Sequence, residues 1–64
     1  MSLGLYDEGR FRELASLPAS KKYKIVAKYR NLPAVRYYLR KFEETRDSRW
    51  LNRALEVLVA LRKV

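Results

Sequence analysis

The chain has 64 residues, a formal net charge of +8, a pI near 10.2, and neither Cys nor His. That length makes a single domain, 1–64, near the lower limit of what folds without staples. Lacking Cys and His, it has no disulfide framework, no thiolate metal site, and neither the commonest metal ligand nor the usual neutral-pH general base.

No secretory leader is expected at 1–5, which is short and runs directly into charge. A first helix is predicted over about 7–16, with Asp7 and Glu8 in its first turn, where carboxylates complement the helix dipole. Pro18 ends it, because proline disfavours helical geometry in the residue before it. Ser20 is the expected N-cap of a second helix over about 21–30. In that helix Lys21, Lys24 and Lys28 fall along one ridge, while Ile25, Val26 and Tyr29 point the other way.

Asn31-Leu32-Pro33 breaks the chain, and Pro33 suits the first turn of a third helix over about 33–46. Val35, Tyr38, Leu39 and Phe42 form its core stripe, at the spacing i, i+3, i+4, i+7. The opposite face carries Arg36, Tyr37, Arg40, Lys41 and Glu44. Asp47 or Ser48 should cap a fourth helix over about 49–63. Trp50, Leu51, Ala54, Leu55, Val57, Leu58, Val59, Leu61 and Val64 cover more than half of its circumference. Either the other helices wrap around it, or part of it meets another protein through Trp50, Leu51, Leu55, Leu58 and Val59.

Period-2 alternation is absent, so no strand is expected. The expected fold is all-α: a compact bundle of three to four short helices with a hydrophobic C-terminal helix. The second and third helices, at about 20–46, have the order of a helix-turn-helix-like unit. Leu17-Pro18-Ala19 and Leu32-Pro33-Ala34 recur fifteen residues apart, as repeated turn-plus-helix-start signals would. The longest apolar run, 57–61, is five residues, far short of a membrane span.

Charge is distributed unevenly. Between Leu14 and Phe42 lie Lys21, Lys22, Lys24, Lys28, Arg30, Arg36, Arg40 and Lys41, with no Asp or Glu. The remaining seven bases are matched by seven acids, so the whole net charge of +8 belongs to this segment. Tyr23, Tyr29, Tyr37 and Tyr38 are threaded through it. A solvated helix face ordinarily intersperses Glu with Lys; here another molecule is needed to neutralise the cations. The absence of Gln and scarcity of Asn, with nine Arg to six Lys, resembles thermophile composition.

No catalytic constellation is present. Ser2, Ser16, Ser20 and Ser48 have no His to activate them. Adjacent Glu43 and Glu44 diverge on a helix, and Gly4 and Gly9 form no phosphate loop. A lysine could serve as base only if buried, and none lies in an apolar stripe. Asp7, Glu8 and Glu13 are too scattered to cage a metal. No enzyme activity, cofactor or metal is expected.

The sequence therefore points to a small basic nucleic-acid-binding protein, DNA or RNA, through Lys21, Lys24, Lys28, Arg30, Arg36, Tyr37, Arg40 and Lys41. Phosphate contacts should dominate, because the exposed faces lack Asn and Gln to read base edges. The alternative is a non-catalytic accessory subunit of a larger nucleoprotein machine, of polymerase or ribosome type, docked through the apolar fourth helix. A homodimer through that helix is a third partner state. A membrane role is disfavoured, because the most apolar helix and the most basic segment are different elements. The expected location is cytoplasmic, with the nucleoid or a ribonucleoprotein.

Overall fold

The computed structural model describes residues 7–64; the 1–5 segment considered as a leader, with Ser2 and Gly4, lies outside them. Within that span the chain forms α1 (Glu8–Ala15), α2 (Ala19–Ala27), α3 (Pro33–Thr45) and α4 (Arg49–Ala60). No strand occurs among the described residues, and the fold is an all-α bundle.

Local chemistry explains where these helices start and stop. Asp7 stands one position before α1 and accepts the Arg10 amide at 2.9 Å, capping the helix from outside its first turn. The expected Ser20 cap is replaced by Pro18. Its φ of −59° and ψ of 153° give the non-helical entry that a cap needs, and its carbonyl accepts the Lys21 and Lys22 amides, both at 3.0 Å. Ser20 thus sits inside the first turn. α2 stops at Ala27 rather than 30, and the amides of Lys28, Tyr29 and Arg30 bond to carbonyls three residues back. Arg30 thereby leaves the helix.

Leu32 is extended and Pro33 opens α3, as the sterics around proline dictate. At the far end Arg46 adopts a left-handed conformation with φ 60°, and its amide bonds to the Phe42 carbonyl. Of the two candidate caps for α4, Asp47 supplies the bond: Oδ1 accepts the Arg49 amide at 3.0 Å. α4 ends at Ala60, earlier than 63. Arg62 turns to φ 58°, and the amides of Lys63 and Arg62 close on the carbonyls of Leu58 and Val59 at 2.8 and 3.0 Å. This pair of bonds is the Schellman closure.

α4 is the hub. Val26, Val35, Leu51, Ala54, Leu55 and Leu58 have no exposed surface, and α4 supplies five of the nine buried apolar residues. It packs against each of the other three helices, most extensively α3. Leu51, Leu55, Leu58 and Val59 are consumed by the chain's own core, which corrects their assignment to a docking face. Three helices packed on one helix can cover more of its circumference than the apolar stripe of an ordinary surface helix, and only Leu61 at its end stays exposed among its large apolar side chains. Trp50 alone of the set assigned to docking is only half-buried.

One lysine contradicts the expectation that none lies in an apolar stripe: Lys22 shares the inner side of α2 with Ile25, Val26 and, just past the helix end, Tyr29. Lys22 is 6% exposed, and its ammonium donates to the Ala15 carbonyl at 3.0 Å and to Asn52 Oδ1 at 2.8 Å. It ties the C-terminal end of α1, where a cation suits the helix dipole, to α4. Lys22 therefore belongs to the scaffold and not to the charged surface.

Candidate nucleic-acid interface

α3 turns Val35 and Leu39 into the core, with Tyr38 and Phe42 half-buried beside them. The same rotation leaves Arg36, Tyr37 and Arg40 exposed, with Lys41 half-buried at their edge. Arg36 and Arg40 are one helical turn apart on one side of the helix. On α2, Val26 anchors the inner side while Lys21, Lys24 and, just past the helix end, Lys28 remain exposed.

Tertiary structure brings Arg30 to this face. The turn after α2 carries it back, so that Arg30, Arg36 and Arg40 line one depression of about 190 Å³ together with Leu39 and Glu43. Arg36 and Arg40 also line a neighbouring depression of about 350 Å³ with Pro33 and Tyr37. Two guanidiniums are thus shared between adjoining concavities. Lys24 borders a separate one, with Tyr23, Phe42 and Arg46. The arginines are brought together; the lysine ridge is not part of their cluster.

Every Asp and Glu of the chain falls among the described residues, and they leave these cations largely unmatched. Lys21, Lys24, Lys28, Arg30, Arg36 and Arg40 have no carboxylate within 4.0 Å among the described residues. Lys41 reaches Glu44 at 4.0 Å, a loose pair on the surface. Arg30 Nε donates to the Ala27 carbonyl at 3.3 Å, which positions the side chain without neutralising it.

Glu43 qualifies the segregation of charge seen along the chain. It lies outside the cationic segment in sequence, yet α3 places it at the rim of the arginine depression. There it accepts the Tyr23 hydroxyl at 2.8 Å. That hydrogen bond to Glu43 raises the Tyr23 pKa above its ordinary value, aided by burial and by the carboxylate's charge, against the pull of Arg30 and Arg46.

Tyr37 and Trp50 belong to one aromatic cluster. Tyr37 meets Tyr38 at 5.6 Å between centroids and Trp50 at 6.3 Å, both edge-to-face, and Tyr38 stacks on Trp50 at 5.9 Å. The Lys41 ammonium lies 5.7 Å from the Tyr37 centroid, within cation–π range. Trp50 also borders a depression with Arg49, Arg53 and Asp47, so α4 adds cations beyond the central segment. Arg49 is held there by Asp47 at 2.8 Å. The four-residue spacing of Arg49 and Arg53 on the narrow polar arc of α4 is the signal that marks them in the sequence.

The arrangement can hold anionic oxygens with guanidinium forks. Among the described residues no group of three or more His, Cys, Asp or Glu side chains is placed to hold a metal ion. None of their helices is long and apolar enough to cross a membrane. No family model, curated protein or solved structure matches this chain.

Proposed function

We propose that this chain is a non-enzymatic nucleic-acid-binding module that grips phosphates through the outer side of α3 and the turn before it. The observation that carries the reading is the convergence of Arg30, Arg36 and Arg40 on one depression, without an ion pair to any of them among the described residues. Three like charges held together repel one another, and a polyanion relieves that repulsion. Guanidinium suits the task, since its planar fork meets two phosphate oxygens at once. Lys21, Lys24 and Lys28 extend the positive field along α2 and steer the approach. α3 offers neither Asn nor Gln, which favours binding with little sequence readout.

An accessory role inside a larger nucleoprotein assembly would use the same cations. It could not use Leu51, Leu55, Leu58 or Val59 for docking, since they fill the core.

The test is titration of the isolated protein with random-sequence duplex DNA, single strands and RNA at several salt concentrations. Affinity should fall as salt rises, with log K linear in log salt. Replacing Arg36 and Arg40 together by Ala should weaken binding at least about tenfold at low salt and reduce the slope by about two. Helicity by circular dichroism should not change. Unaltered affinity in the double variant would remove the reading.

A further inference from the structure

We propose further that the preferred ligand is unpaired nucleic acid, a single strand or an open loop, with Tyr37 stacking on one base between phosphates held by Arg36 and Arg40. This rests on the phosphate-binding reading above and names its substrate class.

Tyr37 is 53% exposed and stands beside the exposed Arg36 and Arg40 on α3. Tyr37 lines the same depression as Arg36, Arg40 and Pro33. A base entering there meets an aromatic surface and two guanidiniums together. The two arginines lie one helical turn apart along the same side of the tyrosine. A nucleotide within a strand has the matching form, a flat base with phosphates on either side.

The ring is also held in place. Edge-to-face contacts to Tyr38 and Trp50, themselves stacked on each other, limit its rotation. Holding a side chain in position before binding reduces the ordering cost on association. The Lys41 ammonium lies over one face of the ring, 5.7 Å from its centroid, so the base is placed on the opposite face.

Duplex geometry does not use these features. In a helix the faces of the bases are covered by their neighbours, so an exposed tyrosine has only edges and phosphates to touch. A single strand offers its base faces, and aromatic platforms among cations exploit them without regard to sequence. The absence of Asn and Gln from α3 fits that sequence tolerance.

The test compares a short mixed-sequence DNA strand, the same sequence as RNA, and the matching DNA duplex, by fluorescence anisotropy across a salt series. Single strands should bind more tightly than the duplex at physiological salt, and the DNA and RNA arms show which sugar is preferred. Tyr37→Ala should weaken strand binding about tenfold at every salt concentration, with the slope unchanged, because stacking releases no counterions. Duplex binding should stay within about twofold, and Tyr37→Phe should keep strand binding, since the ring and not the hydroxyl carries the contact. Equal weakening of strand and duplex by Tyr37→Ala, no weakening of either, or a Tyr37→Phe loss as large as that of Tyr37→Ala would overturn the proposal. If binding responds to the Arg36 and Arg40 replacements but not to Tyr37→Ala, stacking fails and phosphate binding stands. If no nucleic acid binds at all, both fall together.

Discussion

α4 gives up its apolar side to contacts with the other three helices, while the outer side of α3 leaves two guanidiniums and a tyrosine ring open to solvent. Both are regular helices of similar length, at twelve and thirteen residues. The difference lies in what completes each surface. α4 is completed inside the chain, whereas the cations of α3 have few internal partners and are the ones proposed to meet an external polyanion. Stability and binding should therefore respond to different substitutions. Leu55→Ala offers the largest test of that division. Leu55 has no exposed surface, and truncating such a leucine costs about 2–5 kcal/mol. A domain of this size has little more than that to lose, so the variant should melt far below the parent or fail to fold. Replacing Arg36 and Arg40 should by contrast leave stability within about 0.5 kcal/mol. A mild Leu55→Ala phenotype, read by urea denaturation, would show that α4 is not the hub.

A sharper version of the comparison uses one residue type in both regions. Lys22 and Lys24 are two positions apart on α2, yet one is buried with two acceptors and the other is exposed. Lys22→Met keeps the apolar stem and removes the ammonium from the Ala15 carbonyl and Asn52 Oδ1. Hydrogen bonds made by a charged group contribute about 1.5–3 kcal/mol, so stability should drop by that order with the salt slope of binding unchanged. Lys24→Met should do the reverse, sparing stability and flattening the slope by up to about one. If the two variants behave alike, burial is not what separates them.

These lysines also show how far the sequence could be read. The helix count, the core stripe of α3 and the apolar breadth of α4 follow from 3.6-residue periodicity, which is a local property. Helix ends were less legible. Glycine usually marks the left-handed position that closes a helix, and here Arg46 and Arg62 occupy it. Lys22 stands at the first position of the stripe of Ile25, Val26 and Tyr29, so its inward placement was legible, whereas its acceptors on α1 and α4 were not. The face of Arg36, Tyr37 and Arg40 could be drawn from a helical wheel. The arrival of Arg30 beside it, and of Glu43 at its rim, depends on how the turn after α2 folds back. The burial of Leu51, Leu55, Leu58 and Val59 by the chain itself was illegible for a related reason: an apolar surface does not announce which molecule covers it.

The smallest expected effect concerns the seam where the two regions meet. Tyr23 on α2 donates to Glu43 on α3 at 2.8 Å, spanning the groove beside the arginines. The bond requires a neutral phenol, and it raises the Tyr23 pKa above the ordinary 10.0. A raised pKa in the folded state means that folding favours the protonated form. The contribution is therefore complete below pH 10.0 and disappears as pH rises through the higher folded value. Lysines titrate over the same range, so wild-type stability alone cannot isolate this bond. The difference between wild type and Tyr23→Phe can, because the ring and its packing against Phe42 are retained. That difference should be small and constant up to about pH 10, then shrink toward zero or change sign as the phenolate forms beside Glu43. A difference that stays flat through the alkaline range would mean that the latch is open in solution.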